Sequence, residues 1–218
     1  MSMRIGELHI MGNLEFRLME KEDFGAIVTL MAGTFFHSAL YTWAAPDEEE
    51  RRRLLNAMFH HRAQGWLAYQ TELVLEAGVI VGSATWIPPK NGEEEPVKNT
   101  GSMDDVFKGL SPGVAERWMV FQAIIEAQEK SIPPLAWELA PIAIAPEAQG
   151  RKIGSKLIAK KLEEIDQAGL PCFLATQDRI NLEIYGRFGF KKTDEIPIAP
   201  GGPISYGMFR AAGVPDSL

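Results

Sequence analysis

Between Pro141 and Leu162 the chain reads PIAIAPEAQGRKIGSKLIAKKL, an apolar run, then two glycines at 150 and 154, then a basic stretch with apolar periodicity. A helix that begins directly after such a break presents unpaired backbone N–H groups and a partial positive charge, and these suit an anion. Gly150 and Gly154 let the backbone approach that anion with no Cβ in the way, and Arg151 and Lys152 add mobile positive charge. The chemistry that fits is capture of a phosphate, above all a diphosphate. Other phosphate loops fit worse, because the chain contains neither G-x-G-x-x-G nor G-x-x-x-x-G-K-[ST]. The glycines also spell G-x-x-x-G, but Arg151, Lys152, Lys156, Lys160 and Lys161 rule out a lipid setting. A plain strand-turn-helix with glycines for close packing stays open as the alternative.

The elements around the break must position it. Trp137–Ala145 reads as a strand, and Ile153, Leu157, Ile158, Leu162 and Ile165 mark one buried stripe of a helix that Gly169 stops. LPCFLA makes another short strand, DRINLEIYGRFGF a helix ending in a glycine turn, and two β-like runs follow near Lys191 and Ser205. Strand, helix, strand, helix argues for a parallel pair, 137–145 with 171–175, inside a mixed sheet. Upstream, LEFRL reads as a strand and FGAIVTLMAGTFF as a helix. Asp47 precedes a second helix, with acids at its start, Arg62 near its end and a stop before Gly65. A hairpin from about Trp66 to Ile87 turns at Ala77-Gly78. Pro88–Asp105 is rich in Pro, Gly and acids and reads as a mobile loop, and Val114–Lys130 as a helix with Trp118, Phe121, Ile124 and Ile125 on one face.

Length and charge limit what this arrangement can serve. The chain has 218 residues, 46% hydrophobic and 23% charged, which suits a single domain over 1–218 with a real core. No run of eighteen or more apolar residues occurs, so a membrane span is not expected. A net charge of -7 supplies no global field toward nucleic acid or anionic lipid. One cysteine and four scattered histidines exclude an internal disulfide and a Cys/His zinc spacing. The first residues, MSMRIGELHIMG, lack the apolar core of a signal peptide, so a cytoplasmic location is expected.

IAIAP followed by QGRKIG resembles the signature of the GNAT superfamily of acyl-CoA-dependent N-acetyltransferases, and LPCFLATQDRINLEIYGRFGF is similar to that family's next strand, helix and Phe-Gly-Phe turn. Residues 137–195 carry the resemblance, and the rest matches in element order. Lys152 stands where the family often has its middle glycine. The resemblance implies an α/β fold with a mixed, largely antiparallel sheet flanked by helices and splayed at a central parallel strand pair. It implies acetyl-CoA as cosubstrate, with no metal. The backbone of Ile142, Ala143 and Ile144 would then pair with the pantetheine arm. Gln149, Gly150, Arg151, Lys152, Ile153, Gly154 and Ser155 would hold the pyrophosphate, and Asn181 would contact the arm. Tyr185 would stand beside the thioester sulfur, where a phenol can protonate the departing thiolate.

Glu138, near the start of the strand leading to IAIAP, is the candidate to take the amine's proton, directly or through water. Phe35, Phe36, Tyr41, Trp43, Trp118 and Met119 are candidates to line an acceptor cleft, although such a stripe also suits a core. His60 and His61 point apart on a helix and make a poor base pair. Cys172 is expected to pack inside its strand. The expected reaction is acetyl transfer from acetyl-CoA to a primary amine of a small molecule by direct attack in a ternary complex. The rivals are a protein or peptide N-acetyltransferase and a non-catalytic acyl-CoA-binding module. Neither nucleic acid nor a membrane is an expected partner, and a homodimer is compatible with the sequence.

Overall fold

A computed structural model of the chain describes residues 9–11, 13–89, 101–133 and 135–213. The centre of the molecule is strand β4 (Val79–Ile87), whose residues from Val81 to Trp86 are all buried. Burial without alternation means that both faces of the sheet are covered there. Helices α1 (Phe24–Phe35) and α6 (Ile153–Gln167) both pack on β4 and on β5 (Trp137–Ile144). The stripe expected on α6 is its core face, with Ile153, Leu157, Ile158, Leu162 and Ile165 all buried. Gly169, at φ +64°, ends the helix in the left-handed conformation that a side chain resists.

The described residues form an eight-stranded sheet in the order β1-β2-β3-β4-β5-β6-β8-β7. Its further strands are β1 (His9–Met11), β2 (Leu14–Leu18), β3 (Gln70–Glu76), β6 (Cys172–Thr176), β7 (Lys191–Pro197) and β8 (Ile204–Arg210). Every neighbouring pair is antiparallel except β5 with β6. The sheet is therefore mixed and largely antiparallel, with its parallel pair inside it, as expected. Edge strand β7 guards its exposed backbone with Lys191, Lys192 and Glu195.

The second helix differs from expectation. Helix α3 runs from Glu48 to Ala68, past Gly65, because Trp66 buries against Phe59 at a ring separation of 5.8 Å. Tertiary packing outweighs the propensity cost of one helical glycine, roughly 1 kcal/mol. Its start is as read, with Asp47 accepting the amides of Glu49 and Glu50 at 3.0 and 2.9 Å. Two short helices were not anticipated, α2 (Ala39–Ala44) and α4 (Met103–Phe107). The loop expected over Pro88–Asp105 lies outside the described residues from 90 to 100, and its last residues belong to α4. Helix α5 (Pro112–Glu129) buries Trp118 and Phe121, and α7 (Ile180–Gly186) follows β6.

A buried polar network ties the last strands to α5. The Ser205 hydroxyl donates to Gln128 Oε1 at 2.7 Å, Gln128 Nε2 donates to Asp194, and the Gly207 amide donates to Asp194 Oδ1 at 3.2 Å. Gln177 Nε2, just past β6, donates to Ser205 Oγ at 3.1 Å. These bonds satisfy groups that would be costly to bury alone.

Candidate active site

Strands β5 and β6 stay together only briefly. They pair at Trp137↔Cys172 and Glu138↔Phe173, after which β5 continues with β4 to Gly82↔Ile144 and β6 continues with β8 to Thr176↔Tyr206. Among the described residues, no strand lies beside the edge of β5 that faced β6 once Glu138 is passed. The β4–β5 register also shifts between Ala84 and Trp86, opposite Pro141, which has no N–H to offer a ladder. Ile142, Ala143 and Ile144 lie on the unpaired stretch. Ala143 turns its N–H and carbonyl to β4 opposite Ser83, and the Ile144 carbonyl already accepts Gln149 Nε2 at 3.1 Å and Thr34 Oγ1 at 3.3 Å, so Ile142 offers the more available backbone there.

The break that opened the sequence reading is a turn at Pro146–Ala148, then Gly150 at φ +75° and Lys152 at φ +62°, then α6. Lys152 thus occupies the left-handed region at the position where glycine is common, a strain of roughly 1 kcal/mol for a residue with a Cβ. It caps α6 without a side-chain bond, and the first helical bond is that of the Lys156 amide to the Lys152 carbonyl at 3.1 Å. The amides of Ile153, Gly154 and Ser155 therefore have no partner within the helix. Gln149, Gly150, Arg151, Lys152 and Ser155 are exposed, whereas the Ile153 side chain is core and can contribute only its backbone.

Two details differ from expectation. Arg151 is not mobile, because Nη1 and Nη2 hold both carboxylate oxygens of Glu76 at 2.8 and 2.6 Å. That fork keeps the Glu76 carboxyl below its ordinary range. Gly154 turns its missing side chain toward the sheet. A Cβ there would make ordinary contacts with Ile144 Cγ1 at 3.5 Å and Ile142 Cδ1 at 3.8 Å, so it would face the strand and not an anion, and of the two glycines Gly150 alone has open surroundings.

A cavity of about 400 Å³ joins the splayed strands to the helices above them. From the splay it is lined by Glu138 and Ile142 of β5, Thr176 of β6, Asp178, and Asn181 and Tyr185 of α7. Asn181 Nδ2 donates to Thr176 Oγ1 at 2.8 Å, which fixes the amide and leaves its carbonyl oxygen for a ligand. Tyr185 is buried and rests against Phe190 at 6.1 Å between ring centroids. Burial, and then the nearby Asp178 charge, push its phenol above the ordinary range, so it is a proton donor throughout neutral pH. Glu138 sits at the last paired position before the strands part. Asn181, Tyr185, Glu138 and Ile142 are thus brought to one cavity from separate elements. Cys172 is fully buried in β6, and burial pushes its thiol up to about 12.

The other side of the cavity was only partly anticipated. Phe35, Tyr41 and Trp118 line it, with Tyr41 and Trp118 at 5.5 Å between ring centroids. Burial drives the Tyr41 phenol up to about 12. Phe36, Trp43 and Met119 do not line it. Phe36 lies beneath the guanidinium groups of Arg51 and Arg52 at 4.6 and 5.0 Å, Trp43 packs on Gly202, and Met119 is on the exposed face of α5. Neither His60 nor His61 lines it. Sequence reasoning missed Phe59, Arg62, Trp66 and Glu129, all of which do. Phe59, Arg62 and Trp66 stand at spacings of three and four, so a lone cation on an aromatic helix face was the available signal.

Among the described residues no group of three or more His, Cys, Asp or Glu is placed to hold a metal, and no helix is long and apolar enough to cross a membrane. Comparison with known proteins gives a match of residues 34–190 to the model of the acetyltransferase (GNAT) family. An uncharacterized N-acetyltransferase of Schizosaccharomyces pombe is 23% identical over 180 residues, covering 79% of this chain and 72% of that protein. A Corynebacterium glutamicum structure described as histone acetyltransferase HPA2 and related acetyltransferase superposes with a TM-score of 0.66 at 18% identity, over 93% of this chain and 98% of that one. The putative acetyltransferase yncA of Salmonella typhimurium, solved with its cofactor acetyl-CoA, superposes with a TM-score of 0.52 at 16% identity, over 94% and 98%.

Proposed function

Since the chain belongs to the acetyltransferase (GNAT) family, we propose that it transfers the acetyl group of acetyl-CoA to a primary amine of a small molecule, by direct attack in a ternary complex. One observation carries the reading: a single cavity is lined both by the residues of the strand splay and by the aromatic residues of α2, α3 and α5, so donor and acceptor can meet in one space. The acetyl-CoA solved with yncA supports the choice of cosubstrate.

The residues divide the work. The unpartnered amides of Ile153, Gly154 and Ser155, with Gly150 and Lys152, receive the pyrophosphate. The unpaired edge at Ile142 takes the pantetheine arm as an added strand, and the Asn181 carbonyl oxygen accepts from it. The cosubstrate supplies an acyl thioester, already activated toward an amine. Glu138 takes the proton the amine loses as the C–N bond forms, directly or through water, and Tyr185 gives its proton to the sulfur as the C–S bond breaks. A space of about 400 Å³ shared with the acetyl donor suits a small amine on the acceptor side. A cytoplasmic place for the reaction fits a chain with one cysteine, itself buried.

The test is a CoA titration by calorimetry and thermal melting, with an acetyl-CoA consumption assay against polyamines, aminoglycosides, amino acids and peptides. The expectation is a raised melting temperature with saturating CoA and turnover of a small amine. Turnover of peptides alone selects the protein acceptor. Binding without turnover selects the non-catalytic module, and absence of CoA binding overturns the cosubstrate.

A further inference from the structure

Arg62 stands out among the arginines. Among the described residues, the other arginines that are not exposed each have a partner: Arg17 with Asp23 at 2.7 Å, Arg51 with the Ala45 carbonyl at 3.1 Å, Arg117 with the Ala44 carbonyl at 2.9 Å, and Arg210 with Asp166 at 2.7 Å. Arg62 is half-buried, lines the cavity, and among the described residues has neither a hydrogen bond nor a carboxylate in ion-pair reach. Its guanidinium lies 6.0 Å from the ring centroid of Trp118. Trp118 lines the same cavity, and its indole Nε1 is buried with no acceptor among the described residues. The Arg62 guanidinium is thus left open to a cavity of mixed polar and aromatic lining. The fork of a guanidinium matches the two oxygens of a carboxylate.

The same cavity also holds the carboxylates of Glu129 and Glu138. Acids alone would suit a simple amine. Yet a simple amine filling this space would desolvate the Arg62 cation further and supply it with nothing, a cost that a carboxylate on the ligand removes. From this juxtaposition we infer that the acceptor is a small amino acid, its carboxylate held by Arg62 and its amine directed to the acidic side of the cavity. This rests on the acetyl-transfer reading and narrows it. In the step itself the amine nitrogen forms the bond to the acetyl carbon, the C–S bond breaks, the nitrogen loses one proton and the thiolate gains one. The product is an N-acetyl amino acid and CoA.

The experiment compares matched amines that differ only in the carboxylate: phenylalanine with phenethylamine, leucine with isoamylamine, 5-aminovalerate with butylamine. Acetylation rates are read for each pair, and binding of the corresponding N-acetyl products is followed by calorimetry in the presence of CoA. The parent protein is expected to favour the carboxylated member of each reacting pair by roughly tenfold or more in kcat/KM. Arg62→Gln should erase that preference through KM with kcat and CoA affinity held, and Arg62→Lys should restore part of it. Preference for the decarboxylated member, or a preference that survives Arg62→Gln with an unchanged melting temperature, overturns the inference, as does failure of every N-acetyl amino acid to bind. Failure of the transfer reading is distinct: N-acetyl amino acids would bind in an Arg62-dependent way while no amine is turned over.

Discussion

The two ends of the site are built from different material. The stretch from Gln149 to Ser155 is contiguous, exposed up to Lys152 and rich in backbone donors, and it can be read almost letter by letter. The acceptor side draws on side chains from α1, α2, α3, α5 and β5, and several of them are also the core: Tyr41 is 5% exposed and Trp118 is 2% exposed. A backbone site can tolerate changes in side chain, because its donors belong to the peptide. A site made of core side chains ties recognition to stability, so that specificity cannot be altered there without touching the fold.

The largest expected effect therefore falls on the acceptor side. Trp118→Ala removes a ring packed on Tyr41 at 5.5 Å and Phe121 at 5.2 Å, and it should cost about 3–5 kcal/mol in urea unfolding. A loss under about 1 kcal/mol would break the comparison, since the acceptor wall would then not be core.

Tyr185→Phe probes the junction of the two regions. Removing only the hydroxyl should lower turnover by roughly 10²-fold while CoA affinity, measured by calorimetry, changes much less. Because burial and the Asp178 charge raise the phenol's pKa, Tyr185 keeps its proton as pH rises, and a pH–rate profile should show no alkaline loss from this group below about pH 10. Full activity of the variant would remove Tyr185 as the acid.

On the loop, substitutions should be mild. Lys152→Gly relieves a side chain at φ +62° and should stabilise the protein by up to about 1 kcal/mol after the added freedom of the unfolded chain is counted. A clear destabilisation would mean that the lysine side chain holds the loop. The smallest effect is expected of Glu76→Gln, which releases the Arg151 fork and removes a negative charge near the helix start. CoA affinity should rise by about two- to fivefold at low salt, and the gain should shrink as salt screens it. An unchanged affinity would place Arg151 outside the phosphate's reach.

Much of the architecture was legible from residues near one another in the chain. The buried stripe of α6, its stop at Gly169, the start of α3 at Asp47 and the parallel pairing of β5 with β6 all follow from periodicity, capping and element order. The break after Pro146 is equally local, because backbone conformation and an uncapped helix start decide what it can hold. Tertiary structure alone decided which side chains those elements place together. Arg62 reads as a cation near a helix end, yet α3 continues to Ala68 and turns it onto the ring of Trp118. Arg151 reads as a mobile charge, yet Glu76, 75 positions away, holds it. Gly154 reads as room for an anion, yet it faces Ile144. Neighbours along the chain settle the backbone, because φ, ψ and helix caps respond to a few adjacent residues. Contacts between distant side chains depend on the packing of the whole, so the acceptor cavity exists only once that packing is complete.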